Sequence, residues 1–515
     1  MNSETRQRRR GRTTRAINAY MTDKKGAPAV VRNTFRPVFH FYPDDQIEQL
    51  RARALLLLET HGVAVEHEKA GALLSAAGAT QTSDGKCYKL PRGLVEEALA
   101  ATPKSVSLFA KDPDWDLQLP RADGTFIMRT GTGVHGFIDA ETGDYRNLQL
   151  EDVDTITRLG SHLDQVGFMG TPFVSSVPAP TADIHGFGRL ITRTQKHGWI
   201  QPYDFKNVEY LMRIAATAAG GEKSLRERPI ASCIATAFTP LAFKPMDVEV
   251  IRQSVRYGLP IHACSLPSAA GTAPITMPGV AIMAAVEILA IIVLAHVFGS
   301  GVPIIATPLV FSLDVRTGRA LQSSVEVLQG TSIAVQLMKH GFGLVTHTYG
   351  AGSDTPAPDA QAQVEAALRA QLVSLSGADI LGGVGQLECA TVFSPIQAVL
   401  DNEMGAMLNK YLQASPVDDE STAWELLKGI EAGGNFLAEE HTARHCRSMF
   451  MPRVYQRVDR DSYEANNRRD VMDSALETYR EIMDRPLPDL VMDADRIREI
   501  EQIVRAADAD ILADD

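Results

Sequence analysis

A (β/α)8 barrel is the fold this sequence predicts, and three observations predict it. From residue 151 onward, short apolar runs alternate with helical patterns. Short buried strands joined by helices imply a parallel sheet. Eight such runs can be counted, near 165–174, 197–203, 229–237, 259–265, 302–310, 342–348, 378–384 and 435–438, and eight is the number a closed barrel requires. No GxGxxG turn follows the first run, as an open doubly wound sheet would usually show.

Taken in order, the first segment, 1–35, is a basic flexible arm carrying Arg6, Arg8, Arg9, Arg10, Arg12 and Arg15. Such a run is a solvated arm or a dock for an acidic partner. Residues 36–150 read as an α+β N-terminal region, with helices near 44–60, 68–77 and 94–101 and strands near 106–109, 116–119 and 126–139. Within it, Gly131 and Gly133 suit a plain turn or a close approach of backbone to a ligand. The barrel is expected over 151–445, its strands separated by helices at 182–195, 206–219, 245–257, 278–298, 319–340, 359–376 and 395–430. Flanking C-terminal helices fill 446–515, near 461–483 and 494–508.

Composition narrows the function classes. The chain has 515 residues, 45% hydrophobic and 22% charged, which is ordinary for a globular protein. A net charge of −12 argues against general nucleic-acid binding. The five cysteines are scattered without a CxxC pair, so neither a disulfide framework nor a zinc ribbon is suggested and a reducing cytoplasm fits best. No apolar h-region marks the N-terminus. The very apolar 280–298 stretch contains Glu287 and His296. That composition favours a helix buried between sheet and neighbouring subunit over a membrane span. A homo-oligomer is therefore expected, with no membrane and no nucleic-acid partner.

Barrel active sites lie at the C-terminal strand ends, so the residues just past each strand are the candidates. The richest stretch is 341–394, where His347, Tyr349, Asp354, Gln386 and Glu388 each follow an apolar run. Strand ends elsewhere offer Phe173, Trp199, Tyr203, Phe238, Cys264, Phe311 and His441. Ring faces from several strands with carboxylates nearby suit a small cationic ligand, because aromatic faces attract quaternary ammonium groups. His441 and His445 stand four apart in EEHTARH. They would hold zinc only with a third ligand such as Glu388 or His347. Cys264 and Cys389 follow strands but have no base beside them in sequence.

Several stretches resemble one family: RRRGR (8–12), ETHGVAVEHEKAGALLSAAGA (59–79), LPSAAGTAPITMPG (266–279) with Glu287 behind it, LDVRTG (313–318), SDTPAPDAQAQVE (353–365), GQLECATVFSPIQAVLDNEM (385–404) and FLAEEHTARH (436–445). Together they resemble the trimethylamine methyltransferase family, whose branch without pyrrolysine includes glycine betaine methyltransferases. The resemblance implies a barrel enzyme that moves a methyl group from a methylated amine to the Co(I) of a corrinoid (cobalamin) held by a separate partner protein. The chain shows only standard residues, so it is similar to the non-pyrrolysine branch, and a quaternary, glycine betaine-like amine is the implied substrate. On that reading Phe173, Phe238, Phe311 and Tyr349 surround the ammonium. Gln386, His347 and His441 bind the polar end, and Asp354 and Glu388 hold those residues or the cation. The catalytic set is then Asp354, Glu388 and His347, with no resident metal. The alternatives are corrinoid-independent transfer to tetrahydrofolate, a non-catalytic protein that binds a cationic ligand, and a zinc-dependent lyase or hydrolase.

Overall fold

The structure is a computed structural model that describes residues 36–486 and 492–513. The basic arm expected at 1–35 lies outside the described residues. The chain divides into two units. In one, residues 414–435 form turns and the short helix Trp424–Gly429. The other, 36–413 with 436–515, carries the barrel.

The barrel strands are β1 (Ile127–Thr130), β2 (Val166–Gly170), β3 (His197–Ile200), β4 (Ala231–Thr236), β5 (Ile261–Ser265), β6 (Ile304–Pro308), β7 (Val345–Tyr349) and β8 (Ile380–Val384). They pair in sequence order, all parallel, and β8 returns to β1 to close the barrel. Most are buried along their whole length, because helices cover the outside and side chains fill the inside. That double burial is why they read as near-continuous apolar runs.

Seven strands fall where the apolar runs place them. The eighth does not. The barrel opens with Ile127–Thr130, ahead of the expected boundary at 151, and closes with Ile380–Val384. No strand forms at 435–438. Two glycines precede that segment, its Phe436 and Leu437 stand 40% and 86% exposed, and the chain turns there into the helix Glu440–His445. The helix expected over 395–430 stops at Leu412, and that over 319–340 spans Val325–Gln336 before a wider turn.

The N-terminal region closes the lower end of the barrel. The hairpin Val106–Leu108 with Leu117–Leu119 packs in one apolar cluster with Ile127, Ile305, Val345 and Ile380, which begin or lie near the beginning of their strands. His197 anchors the same end. Its Nδ1 lies 2.7 Å from the Phe109 carbonyl oxygen, and burial holds its pKa down at about 4. Lys196 is wholly buried and donates to the Gly160, Leu163 and Val166 carbonyls at 2.7, 3.1 and 2.5 Å.

The very apolar helix Met277–Phe298 is enclosed by its own chain. Asp44–Thr60 and Arg92–Ala101 pack on one side, and β5 and β6 on the other. It therefore needs no neighbouring subunit to cover it, which removes that ground for expecting an oligomer.

Two outcomes test this arrangement. Leu289→Ala, at a fully buried position of that helix, should destabilise the protein by about 2–5 kcal/mol. That loss should be the same at every protein concentration; a loss that changed with concentration would put the cover in a second subunit. His197 has a folded pKa below its unfolded value, so its favourable state is fully present above pH 6.5 and is lost as pH falls through about 4. The span corresponds to about 3 kcal/mol. His197→Gln should flatten the acid limb of the stability profile by that amount, and an unchanged limb contradicts the assignment.

Candidate functional site

Side chains of alternate strands share layers inside a parallel barrel. Here Arg129 of β1, Trp199 of β3, His262 of β5 and His347 of β7 make one such layer, all 0% exposed. The guanidinium lies over the Trp199 ring, with Cζ 4.1 Å from its centroid. Trp199 stacks on His262 at 4.7 Å and 8°. Phe168 of β2 lies against Trp199, His262 and His347 at 5.8, 5.7 and 6.2 Å.

A hydrogen-bond chain fixes the tautomers. Arg129 Nε donates to His347 Nε2 at 3.2 Å. His347 Nδ1 therefore carries the proton and donates to His262 Nδ1 at 3.3 Å. His262 Nε2 then donates to Ser232 Oγ at 3.0 Å. Burial, with the neighbouring Arg129 charge, pushes both histidine pKa values well below the usual range. Both imidazoles are neutral, which is what the chain of donors requires.

Arg129 Nη1 donates to the Thr130 carbonyl at 2.7 Å and to Thr132 Oγ1 at 3.2 Å. Thr130 ends β1 and Thr132 follows it, both toward the upper mouth, so the side chain extends that way. Nη2 is wholly buried and has no hydrogen-bond partner. Glycine makes room for this group. A Cβ on Gly382 of β8 would stand 2.6 Å from Arg129 Nη2 and 2.9 Å from His347 Nε2.

Above the layer, Tyr349 ends β7 with Arg129 Cζ 5.8 Å from its ring centroid. Phe311 meets Tyr349 edge-on at 6.0 Å, and Cys264, Leu266 and Leu309 complete this apolar corner. Across the mouth Phe173 lies 5.3 Å from Tyr203. Gln386 is fully buried; its Nε2 donates to the Thr132 carbonyl at 3.1 Å and its Oε1 has no partner.

Carboxylates brace the loops around this mouth. Asp354 accepts from the Gln322 and Ser323 backbone N–H groups at 2.9 and 2.8 Å, tying the loop after β7 to that after β6. Glu287 accepts from Thr239 Oγ1, the Leu241 N–H and Ser265 Oγ at 2.9, 2.8 and 2.5 Å. It fixes the end of β5 and a turn in which Leu241 has a φ of +57°. Asp401, whose pKa burial raises to about 7, accepts from the Gly385 N–H at 2.8 Å. Glu388, Cys389 and Ala390 follow in succession with φ of 48°, 54° and 68°. Three non-glycine residues in the left-handed region store strain beside the mouth.

Of the residues named from sequence, His347, Tyr349, Phe311 and Gln386 are brought together at the barrel axis and mouth. Asp354 is committed to backbone N–H groups, and Glu388 sits half-buried in the strained turn. Phe238 does not enclose a ligand: it is 61% exposed and has Lys244 Nζ 5.5 Å from its ring centroid. His441 does not follow a barrel strand, because no strand forms before it. It lies on Glu440–His445 with its ring 4.3 Å from that of His445. Burial raises the thiols of Cys264 and Cys389, the latter to about 12, so neither is a ready nucleophile. Sequence reasoning missed Arg129 and His262. The only signal for Arg129 was the glycine pair at 131 and 133, where Gln386 now packs: a Cβ on Gly131 would stand 2.4 Å from its Cγ.

Three comparisons bear on this site. The family model for trimethylamine methyltransferase matches residues 5–511. A trimethylamine methyltransferase of Desulfitobacterium hafniense is 30% identical over 455 residues, 87% of this chain and 91% of that one. A glycine betaine methyltransferase from the same species is 25% identical, covering 83% and 88%. Among solved structures, the monomethylamine methyltransferase of Methanosarcina barkeri superposes with a TM-score of 0.50 at 14% identity, covering 88% and 89%, a likeness of fold.

Glu287→Ala would leave three donors without their acceptor, the Ser265 hydroxyl buried and the other two partly so. It should destabilise the protein by about 2–4 kcal/mol in denaturant unfolding, and Glu287→Gln, which keeps an acceptor, by less. Equal stability of Glu287→Ala and the parent would contradict the bracing role.

Proposed function

The chain belongs to the trimethylamine methyltransferase family, and from that premise we propose that it removes a methyl group from a quaternary, glycine betaine-like amine and passes it to the corrinoid of a partner protein. The observation that carries the quaternary reading is the corner of ring faces formed by Phe311 and Tyr349 beside Cys264, Leu266 and Leu309. Aromatic faces attract an ammonium that has no N–H to donate, and apolar neighbours suit its methyl groups.

The chemistry fits what lies beneath. In-line displacement of a methyl from quaternary nitrogen releases a neutral tertiary amine, so the leaving group needs no proton. The imidazoles of the layer below are neutral, and His347 and His262 spend their N–H groups on the hydrogen-bond chain. The protein's part is to orient the N–CH3 bond toward the mouth and to exclude water. The hairpin below seals the opposite end.

A Co(I) corrinoid, when docked, supplies the nucleophile that accepts the methyl group. What supports a docked partner is the upper face. Phe238, Ile275 and Val315, on the loops after β4, β5 and β6, stand 61%, 66% and 69% exposed. Uncovered apolar side chains on three consecutive loops of the mouth suit a protein surface that covers them.

The test is methyl transfer from glycine betaine, other betaines and trimethylamine to Co(I) cobalamin, followed by the absorbance of the methylated product. Turnover is expected with a betaine; trimethylamine turnover well above that of every betaine would overturn the quaternary reading. Tyr349→Ala should raise KM at least about tenfold, on the scale of losing one desolvated cation–ring contact and its packing. Unchanged kinetics would make Tyr349 a packing residue.

A further inference from the structure

We propose that a cleft on the outer wall of the barrel is a second ligand site, one that binds an amphipathic carboxylate with its acid group on arginine side chains and its hydrocarbon body between two helices. The cleft lies between the helix Ala182–Arg193, which leads from β2 to β3, and the C-terminal helix Ala494–Ile511. Its lining shares no residue with the barrel mouth, and the proposal stands independently of the methyl-transfer reading.

Each helix supplies one wall by the spacing of its residues. Ile497, Ile500 and Val504 recur at i, i+3 and i+7, so they share one face of the C-terminal helix. Ile500 is buried and the other two are half-buried. Across the cleft stand Gly188, Arg189, Thr192 and Arg193, again one helix face by spacing. The helices meet where glycine permits it: a Cβ on Gly188 would stand 3.2 Å from Val504 Cγ2. Beside that contact the walls leave a cavity of about 270 Å³. Such a volume holds roughly nine groups the size of a water molecule, which matches a medium-length hydrocarbon chain with one acid group rather than a nucleotide.

The charges choose an anion. Asp154 is spent on Arg189, which donates to its two oxygens at 2.8 and 2.6 Å. Arg193 comes only to 3.6 Å from that carboxylate, and its buried Nε has no hydrogen-bond partner. Asp508 is likewise spent, accepting from Thr181 Oγ1 at 2.6 Å with His185 Nε2 at 3.0 Å. Arg505 lines the cleft from the C-terminal helix and forms no ion pair among the described residues. Glu501 is the one acid of the lining. Arg193 and Arg505 therefore face a single carboxylate, and a ligand's acid group restores the balance through the forked donors of a guanidinium. On a chain of net charge −12 this local positive excess sets the cleft apart.

Isothermal titration of the full chain with octanoate, acetate and octylammonium tests this. The first has both parts, the second has the acid group alone, and the third has the same chain with the opposite charge. One octanoate per chain is expected, bound at least about 100-fold more tightly than acetate, the scale of burying several methylene groups. It should also bind at least about tenfold more tightly than octylammonium, the scale of one charge-assisted hydrogen bond. Val504→Trp should fill the cleft and abolish octanoate binding. Arg193→Gln should weaken octanoate about tenfold and leave octylammonium unchanged. Arg505→Gln, at an exposed position, gives the same readout should either variant unfold. Octanoate failing to bind, octylammonium binding as tightly, octanoate binding that survives Val504→Trp, or several octanoates per chain would each overturn the site.

Discussion

Arg129 carries its charge into a barrel interior that water does not reach. Moving an ion from water into such surroundings costs several kcal/mol even after relaxation, and the protein meets that cost with neutral groups alone. The indole face of Trp199 takes one side of the guanidinium, His347 Nε2 accepts from Nε, and Nη1 is shared between the Thr130 carbonyl and Thr132. The consequences spread outward. His347 must be neutral to accept, so it must donate from Nδ1, so His262 must accept there and pass its proton toward Ser232. Gly382 must lack a side chain, because any Cβ would collide with both Arg129 and His347.

The rest of the molecule keeps this interior rigid and dry on one side and open on the other. Below, a hairpin of the N-terminal region joins the strand beginnings in a single apolar cluster. Above, buried carboxylates accept backbone N–H groups from the loops: Asp354 between the loops after β6 and β7, Glu287 between those after β4 and β5, Asp401 at the end of β8. Each holds loop segments in place, so the mouth is shaped by carboxylates bonded to the loops around it. The long apolar helix Met277–Phe298 supplies Glu287 from behind while its other faces are covered by the N-terminal helices.

Most of the barrel was legible in the sequence because strands buried on both faces read as apolar runs, and β2 to β8 are such runs. The first strand was seen but misplaced. Ile127–Thr130 is four residues long and carries Arg129, so the strand legible near 126–139 read as part of the N-terminal region and not as a barrel strand. Phe436 and Leu437 imitated the missing strand, although neither is buried. At the site, strand-end placement led to His347, Tyr349, Phe311 and Gln386, because a barrel presents those positions at its mouth. It did not lead to His262, which lies in mid-strand, where sequence does not tell which of two adjacent residues turns inward. Phe238 and His441 were named by the same logic. One lies on a solvent-exposed loop and the other on a helix outside the barrel, since an aromatic or histidine near a strand end need not point at the axis.

The central claim is that the ring corner of the barrel mouth holds a quaternary methylated amine. A crystal structure of the chain soaked with glycine betaine tests it most directly. The account predicts the methyl groups against Tyr349 and Phe311. A ligand bound outside the barrel, or with its ammonium turned away from both rings, would contradict it.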